Sequence, residues 1–200
     1  MLRLDVTTST NDVVKEQALS GAPEGLAVLA ERQEHGRGRQ GRSWQSPKGS
    51  GLYLSVLLRP DIPAYEANWL GIVGALGVLS ALESAGVGDL TLKWPNDVLA
   101  RGLKIAGILV EPRIGDGRVE FAVLGIGVNI VWSVDDLARA GLARATSCRI
   151  EGLEITTAGL SEAILDQLDD LYRQFQRGVR QPLLLDWSRR TGRADLPVLE

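Results

Sequence analysis

Seven consecutive residues, Gly36-Arg37-Gly38-Arg39-Gln40-Gly41-Arg42, put three guanidinium groups on a backbone whose glycines permit tight turns and close approach of a ligand. Successive amide N–H groups and arginine forks both hold phosphate oxygens, the arginines with bidentate geometry. The segment is not a P-loop, because no Gly-Lys-Ser/Thr follows at the required spacing. By composition it also fits a solvated surface loop or an Arg-Gly segment that binds nucleic acid. Trp44, just beyond it, would serve either to stack on a base or to anchor the loop by packing.

Lys93-Trp94-Pro95-Asn96-Asp97 is the second chemical feature. A strand would deliver Lys93 to a turn whose direction Pro95 pins, while Asn96 and Asp97 hydrogen-bond to their own backbone. Read as chemistry, the pentapeptide sets an ammonium between two anions, a substrate carboxylate and an α-phosphate. Holding them in register needs charge and proximity but no proton transfer. Read plainly, it is an exposed lysine ahead of an Asx turn.

The rest of the composition narrows the options. One histidine, His35, and one cysteine, Cys148, remove most zinc sites, most histidine-dependent acid–base schemes and any internal disulfide. Metal chemistry would be of the carboxylate and phosphate kind, and the metal ligands stay unknown. His35 reads as a packed or exposed loop residue and Cys148 as a small buried hydrophobe with nothing nearby to activate it. With 44% hydrophobic and 24% charged residues the chain is globular. The net charge of −3 does not favour nucleic acid or an anionic membrane, yet residues 32–48 hold five cations against Glu34 alone. A confined basic loop in an acidic protein points to a specific anion. No run of eighteen uncharged apolar residues occurs, and Arg3 and Asp5 stand where a signal peptide would be apolar. The expectation is a cytoplasmic protein with neither membrane nor nucleic acid as partner.

These residues need elements to position them. Residues 2–6 alternate as a strand, and Ser9 is a good N-cap for a helix over 10–19, with Asp12 as a weak capping-box acid. Strands follow at 26–30 and 52–58, on either side of the polar loop 34–50. Residues 65–85 form a long apolar helix whose Gly71, Gly74 and Gly77 cost about 1 kcal/mol each against alanine, so close packing must offset them. A strand at 90–94 stops at Pro95, another resumes at 104–110, and Gly115-Asp116-Gly117 makes a hairpin into a strand over 118–130. Helices are expected at 134–140, 158–176 and 182–190, the last two by apolar spacing and by Pro182. Residues 191–200 read as a tail. The hairpin is too short for a crossover helix, so the sheet has an antiparallel component.

Five segments in the same order, spanning about residues 4–190, resemble the catalytic domain of the biotin-protein ligases. They are Ser9-Thr10-Asn11; Gln33 with the loop 36–44; Lys93 through Asp97; Lys104-Ile105-Ala106-Gly107-Ile108-Leu109; and Gly125-Ile126-Gly127-Val128-Asn129, followed by the short pair Thr146-Ser147. The resemblance implies an α+β fold, a mixed and largely antiparallel sheet packed with helices, of the class II aminoacyl-tRNA synthetase-like type. The catalytic domain would occupy residues 1–190.

The resemblance also implies roles. Ser9, Thr10 and Gln33 would line the site for the uncharged ureido head of biotin, whose N–H and C=O groups suit such donors and acceptors, with Asn11, Gly36, Arg37, Gly38 and Gly107 as further substrate-binding residues. Arg37, Arg39 and Arg42, with Trp44, Asn96, Lys104 and Asn129, would meet the nucleotide, Arg39 retaining the activated intermediate. Lys93 would contact the biotin carboxylate and the phosphate, with Lys104 as a second contact. The implied reaction is attack of the biotin carboxylate on the α-phosphorus of ATP with Mg2+, then transfer from biotinyl-5'-AMP to a lysine of a biotin carboxyl carrier protein. A lipoate-protein ligase-like enzyme and a non-catalytic biotin- or carrier-binding relative are the alternatives, and a homodimer is expected. Thr8 stands where many relatives carry Asp, and His35 where most carry a small residue. Neither an N-terminal helix-turn-helix domain nor the family's small C-terminal β-rich domain is evident, from which weak capture of the carrier is expected.

Overall fold

The computed structural model describes residues 1–192. Seven strands form one sheet: β1 (Leu2–Thr7), β2 (Ala27–Gln33), β3 (Gly51–Leu58), β4 (Leu90–Lys93), β5 (Asp97–Ala100), β6 (Leu103–Gly115) and β7 (Arg118–Asn129). Their spatial order is β1-β2-β3-β7-β6-β5-β4. Only β1 and β2 run parallel, and all other neighbours are antiparallel. The α+β expectation with a mixed, mostly antiparallel sheet is what the chain adopts.

Five helices cover the sheet: α1 (Thr10–Leu19), α2 (Asn68–Ser84), α3 (Val134–Arg139), α4 (Thr157–Gln176) and α5 (Gln181–Thr191). Side chains alternate across a strand, so Leu52, Leu54, Val56 and Leu58 of β3 join Leu124, Ile126 and Val128 of β7 in the main core with α2, α4 and α5. Leu57, Phe121 and Val123 point the other way, into a smaller cluster with Val14 and Ala18 of α1. Both faces of β3 are therefore buried.

Two of the three helical glycines find the close packing expected of them, whereas a Cβ on Gly71 would meet Val110 Cγ2 at an ordinary 3.9 Å. A Cβ on Gly74 would stand 2.7 Å from Leu124 Cδ1 on β7, and one on Gly77 2.8 Å from Leu168 Cδ2 on α4. By length and composition Ala64–Ser84, a short 3-10 turn plus α2, would suffice to cross a membrane. However, 67% of its apolar window is buried, the condition of a core helix.

Two local expectations are corrected. Ser9 is the N-cap of α1 in backbone terms, but its hydroxyl caps nothing, and Asp12 is drawn instead to Arg37 at 2.6 Å. The capping box forms at α3, where Ser133 and Asp136 bond reciprocally. Residues 97–100 were not expected to be a strand. Arg101 (φ 48°) and Gly102 (φ 77°) turn the chain tightly enough to pair β5 with β6. The expected tail at 191–200 lies almost entirely outside the described residues.

Candidate active site

The face of the sheet opposite α2 carries a floor made of glycines. Gly107 of β6 is paired with Gly127 of β7, and Gly125 of β7 with Ser55 of β3. The Trp44 indole lies flat on the first pair: a Cβ at Gly107 would be 2.9 Å from its Cζ3, and one at Gly127 2.6 Å from its Nε1. Lys104 Nζ stands 5.2 Å from the centre of the same indole, a cation–π contact. Asn11 covers Gly125, where a Cβ would come within 3.0 Å of its Cγ. These glycines exist for the approach of side chains, since each sits in an ordinary extended strand.

One wall is a hydrogen-bonded seam of uncharged side chains. Asn11 donates to Glu111 Oε2 at 2.6 Å and accepts from the Ser55 hydroxyl at 2.5 Å, which also lies 2.7 Å from Thr10 Oγ1. The Thr10 amide and hydroxyl donate to Gln33 Oε1 at 2.9 and 3.1 Å, Gln33 Nε2 donates to Ser46 Oγ, and Ser46 donates to the Trp44 carbonyl. Burial of Thr10 and Asn11 is tolerable because the seam satisfies their side-chain polar atoms. The Ser9 hydroxyl, which has no partner among the described residues, borders the cavity.

The opposite wall is cationic. Arg37, Arg39, Arg42, Lys93 and Lys104 all line a cavity of about 350 Å³, with Asp97 the sole carboxylate on its lining. They are not equivalent. Lys104 pairs with Asp97 at 2.6 Å, and Arg37 pairs with Asp12 and Glu111 at 2.6 and 3.0 Å. Partial burial works against the charge of Arg37, but the hydrogen bond to Asp12 and the field of Glu111 outweigh it and hold its pKa above the ordinary value. Among the described residues, Arg39 and Lys93 have no ion pair or side-chain hydrogen bond, and Arg42 only a bond to Gln40. The Trp44 Nε1 donor is buried and equally without a partner. An anion would therefore find unengaged charges on Arg39 and Lys93, and charges on Arg37 and Lys104 already held by carboxylates.

Most sequence-predicted residues meet in this one cavity: Ser9, Thr10, Asn11, Gln33, Arg37, Gly38, Arg39, Arg42, Trp44, Lys93, Asn96, Lys104 and Gly107. Two do not reach it. Gly36 lies behind the loop, where the Trp44 amide donates to its carbonyl at 2.8 Å and a Cβ would meet Ser46 Oγ at 2.6 Å. Asn129 is buried below the site, its amide donating to the Thr146 carbonyl at 2.9 Å, which fixes the 144–147 segment beside Lys104. Asn96 borders the cavity, but its side chain donates to the Ile108 carbonyl and ties the turn to β6. Sequence reasoning missed Ser55, Glu111 and the two floor glycines Gly125 and Gly127 as site residues. Strand alternation from Gly107 and Asn129 was the signal that would have found all but Ser55. His35 is exposed and Cys148 buried, as expected.

The family model of the biotin/lipoate A/B protein ligases matches residues 4–129, more than half of the chain. The chain belongs to that family. Every residue lining the cavity falls inside the matched segment. Among curated relatives, the bifunctional ligase/repressor BirA of Bacillus spizizenii is 37% identical over 185 residues, covering 92% of this chain and 57% of the relative. The biotin–[acetyl-CoA-carboxylase] ligase of Mycobacterium tuberculosis is 40% identical over 143 residues, 68% of this chain and 52% of that one. This ligase-family chain thus spans a little over half the length of the curated relatives it matches. The biotin protein ligase of Aquifex aeolicus, solved in complex with biotin and ATP, superposes with a TM-score of 0.77 at 28% identity, over 95% of this chain and 77% of that one. The open mixed sheet with its helices is the biotin/lipoate ligase fold.

Proposed function

We propose that this family member is an ATP-dependent biotin-protein ligase, which forms biotinyl-5'-AMP and transfers biotin to a lysine of a carrier protein. The observation that carries the reading is that an uncharged, hydrogen-bonding wall and a cationic wall face each other across one glycine-floored cavity. A neutral bicyclic head with a carboxylate tail matches that polarity: the head meets Ser9, Thr10 and the seam, and the tail points to the lysines. Relatives bearing the name biotin ligase support the same substrate.

In the first step the ionised carboxylate attacks the α-phosphorus and pyrophosphate leaves. Lys104, over the indole, and Lys93, at the mouth, would stabilise the charge that spreads onto the phosphate oxygens, and Arg39 would close on the adenylate. In the second step a neutral lysine amine of the carrier attacks the acyl carbon, and AMP departs. Mg2+ would neutralise the leaving pyrophosphate. Among the described residues no group of three carboxylate, histidine or cysteine side chains could hold a metal, and Asp97 is engaged by Lys104. We further propose a homodimer, formed through one of the edge strands β1 and β4.

The test is exchange of labelled pyrophosphate into ATP, with Mg2+ and without acceptor. Biotin should drive it. No exchange in folded protein, or faster exchange with lipoic acid, would reject the substrate assignment.

A further inference from the structure

Arg37 differs from the other cavity cations because both arms of its guanidinium are held, Nη1 by Asp12 and Nη2 by Glu111. Glu111 Oε2 is also the acceptor for Asn11 Nδ2 at 2.6 Å. One carboxylate oxygen thereby joins the arginine loop to the polar wall. From Asn11 the seam continues through Ser55, Thr10, Gln33 and Ser46 to the carbonyl of Trp44, which ends the same loop. The loop 37–44 is consequently tied to the wall at its two ends, Arg37 and Trp44. Between them Arg39 has no tie among the described residues.

Glu111 is placed for this by strand geometry. Gly107, Leu109 and Glu111 share the site face of β6, and the absence of side chains at Gly125 and Gly127 lets Asn11 and Trp44 sit low enough to reach their partners. We infer that Glu111 is a positioning residue for the arginine loop: it fixes Arg37 and Asn11 together, so that loop and wall form one unit while Arg39 stays free to meet the ligand's anion. In this arrangement Arg37 is the anchor of the loop and Arg39 its moving contact. The kinetic consequence rests on the biotin ligase reading, whereas the anchoring itself does not.

The experiment is native-state trypsin digestion, read as cleavage after the loop arginines, alongside substrate kinetics. Glu111→Gln keeps volume and an acceptor for Asn11 but removes the charge facing Arg37. Loop cleavage should rise about two- to fivefold, the range for losing a partly exposed charge pair, with an unchanged thermal midpoint. Arg37→Gln should raise cleavage after Arg39 and Arg42 equally, and the double variant should go no further than either single one. Glu111→Asp, which retains the charge, should recover part of the protection. In the exchange assay Glu111→Gln should raise KM for biotin by more than it lowers kcat. Unchanged cleavage in Glu111→Gln and Arg37→Gln, or additive effects in the double variant, would overturn the anchor. Should Glu111→Gln not fold, Arg37→Gln decides from the other side of the contact. Since digestion needs no substrate, failure of the biotin assignment would show in the exchange assay and leave the digestion result standing.

Discussion

Trp94 meets Trp187 edge to face, with ring centroids 5.5 Å apart and planes at 89°. Trp94 belongs to the Lys93–Asp97 turn and Trp187 to α5, so the last described helix braces a turn of the site. Arg190 fastens that helix to α2 through two hydrogen bonds of 2.7 Å to Glu83. Trp187 is 2% exposed, and Trp187→Ala should destabilise the fold by about 3–5 kcal/mol. Trp187→Phe should retain most of the stability. Thermal unfolding of the two variants checks this, and equal midpoints for Ala and wild type would reject the brace.

The two lysines should differ in weight. Lys93 is exposed at the mouth, where water screens its field, whereas Lys104 lies against Gly107 and the Trp44 ring. Lys104→Ala should slow biotinyl-adenylate formation about a hundredfold, near 3 kcal/mol, and Lys93→Ala about tenfold. Single-turnover measurement of the adenylate separates them. The sequence had assigned the larger share to Lys93, and a greater loss in Lys93→Ala would restore that order.

Arg39→Gly removes a charge that no other side chain engages among the described residues, so stability should not change. Adenylate should form and then escape, appearing free in solution and labelling bystander lysines. Retention as long as in the parent protein would contradict the assigned role.

Gly127→Ala places a methyl 2.7 Å from Trp44 Cζ2, on strand backbone that cannot withdraw without breaking the pairing to Gly107. The indole must lift from the floor and take loop and cavity shape with it. A biotin Kd weakened by about tenfold or more, measured by calorimetry, is expected from this overpacking. Unaltered affinity would mean that Trp44 does not shape the pocket.

The Cys148 thiol is pushed up to about 12 by burial, with the nearby charge of Glu151 adding to the rise. Below that pH the folded protein should hold a neutral thiol, so iodoacetamide at pH 8 should label it only after unfolding. Rapid native labelling at pH 8 would disprove the burial.

Much of this protein was legible in its sequence because the relevant physics is local. The apolar period of 158–176 dictated α4, the Asp116-Gly117 pair dictated the β6–β7 hairpin, and Gly74 and Gly77 of α2 announced a helix pressed against neighbours. The arginine loop and the Lys93–Asp97 turn carried their chemistry in their residue types. Strand β5 was missed because Asp97 reads as part of the turn after Pro95, and it is pairing with β4 and β6 on either side that makes 97–100 a strand. What the tertiary structure alone decided is which charges are available. Asp12, Glu111 and Asp97 engage Arg37 and Lys104, while Lys93 and Arg39 have no ion-pair partner among the described residues. Asn129 turns from the cavity to the Thr146 carbonyl, and Glu111 and Ser55, inconspicuous in the sequence, hold Asn11 from behind the cavity lining. Such assignments depend on distances between residues as much as a hundred positions apart, which a one-dimensional pattern does not contain.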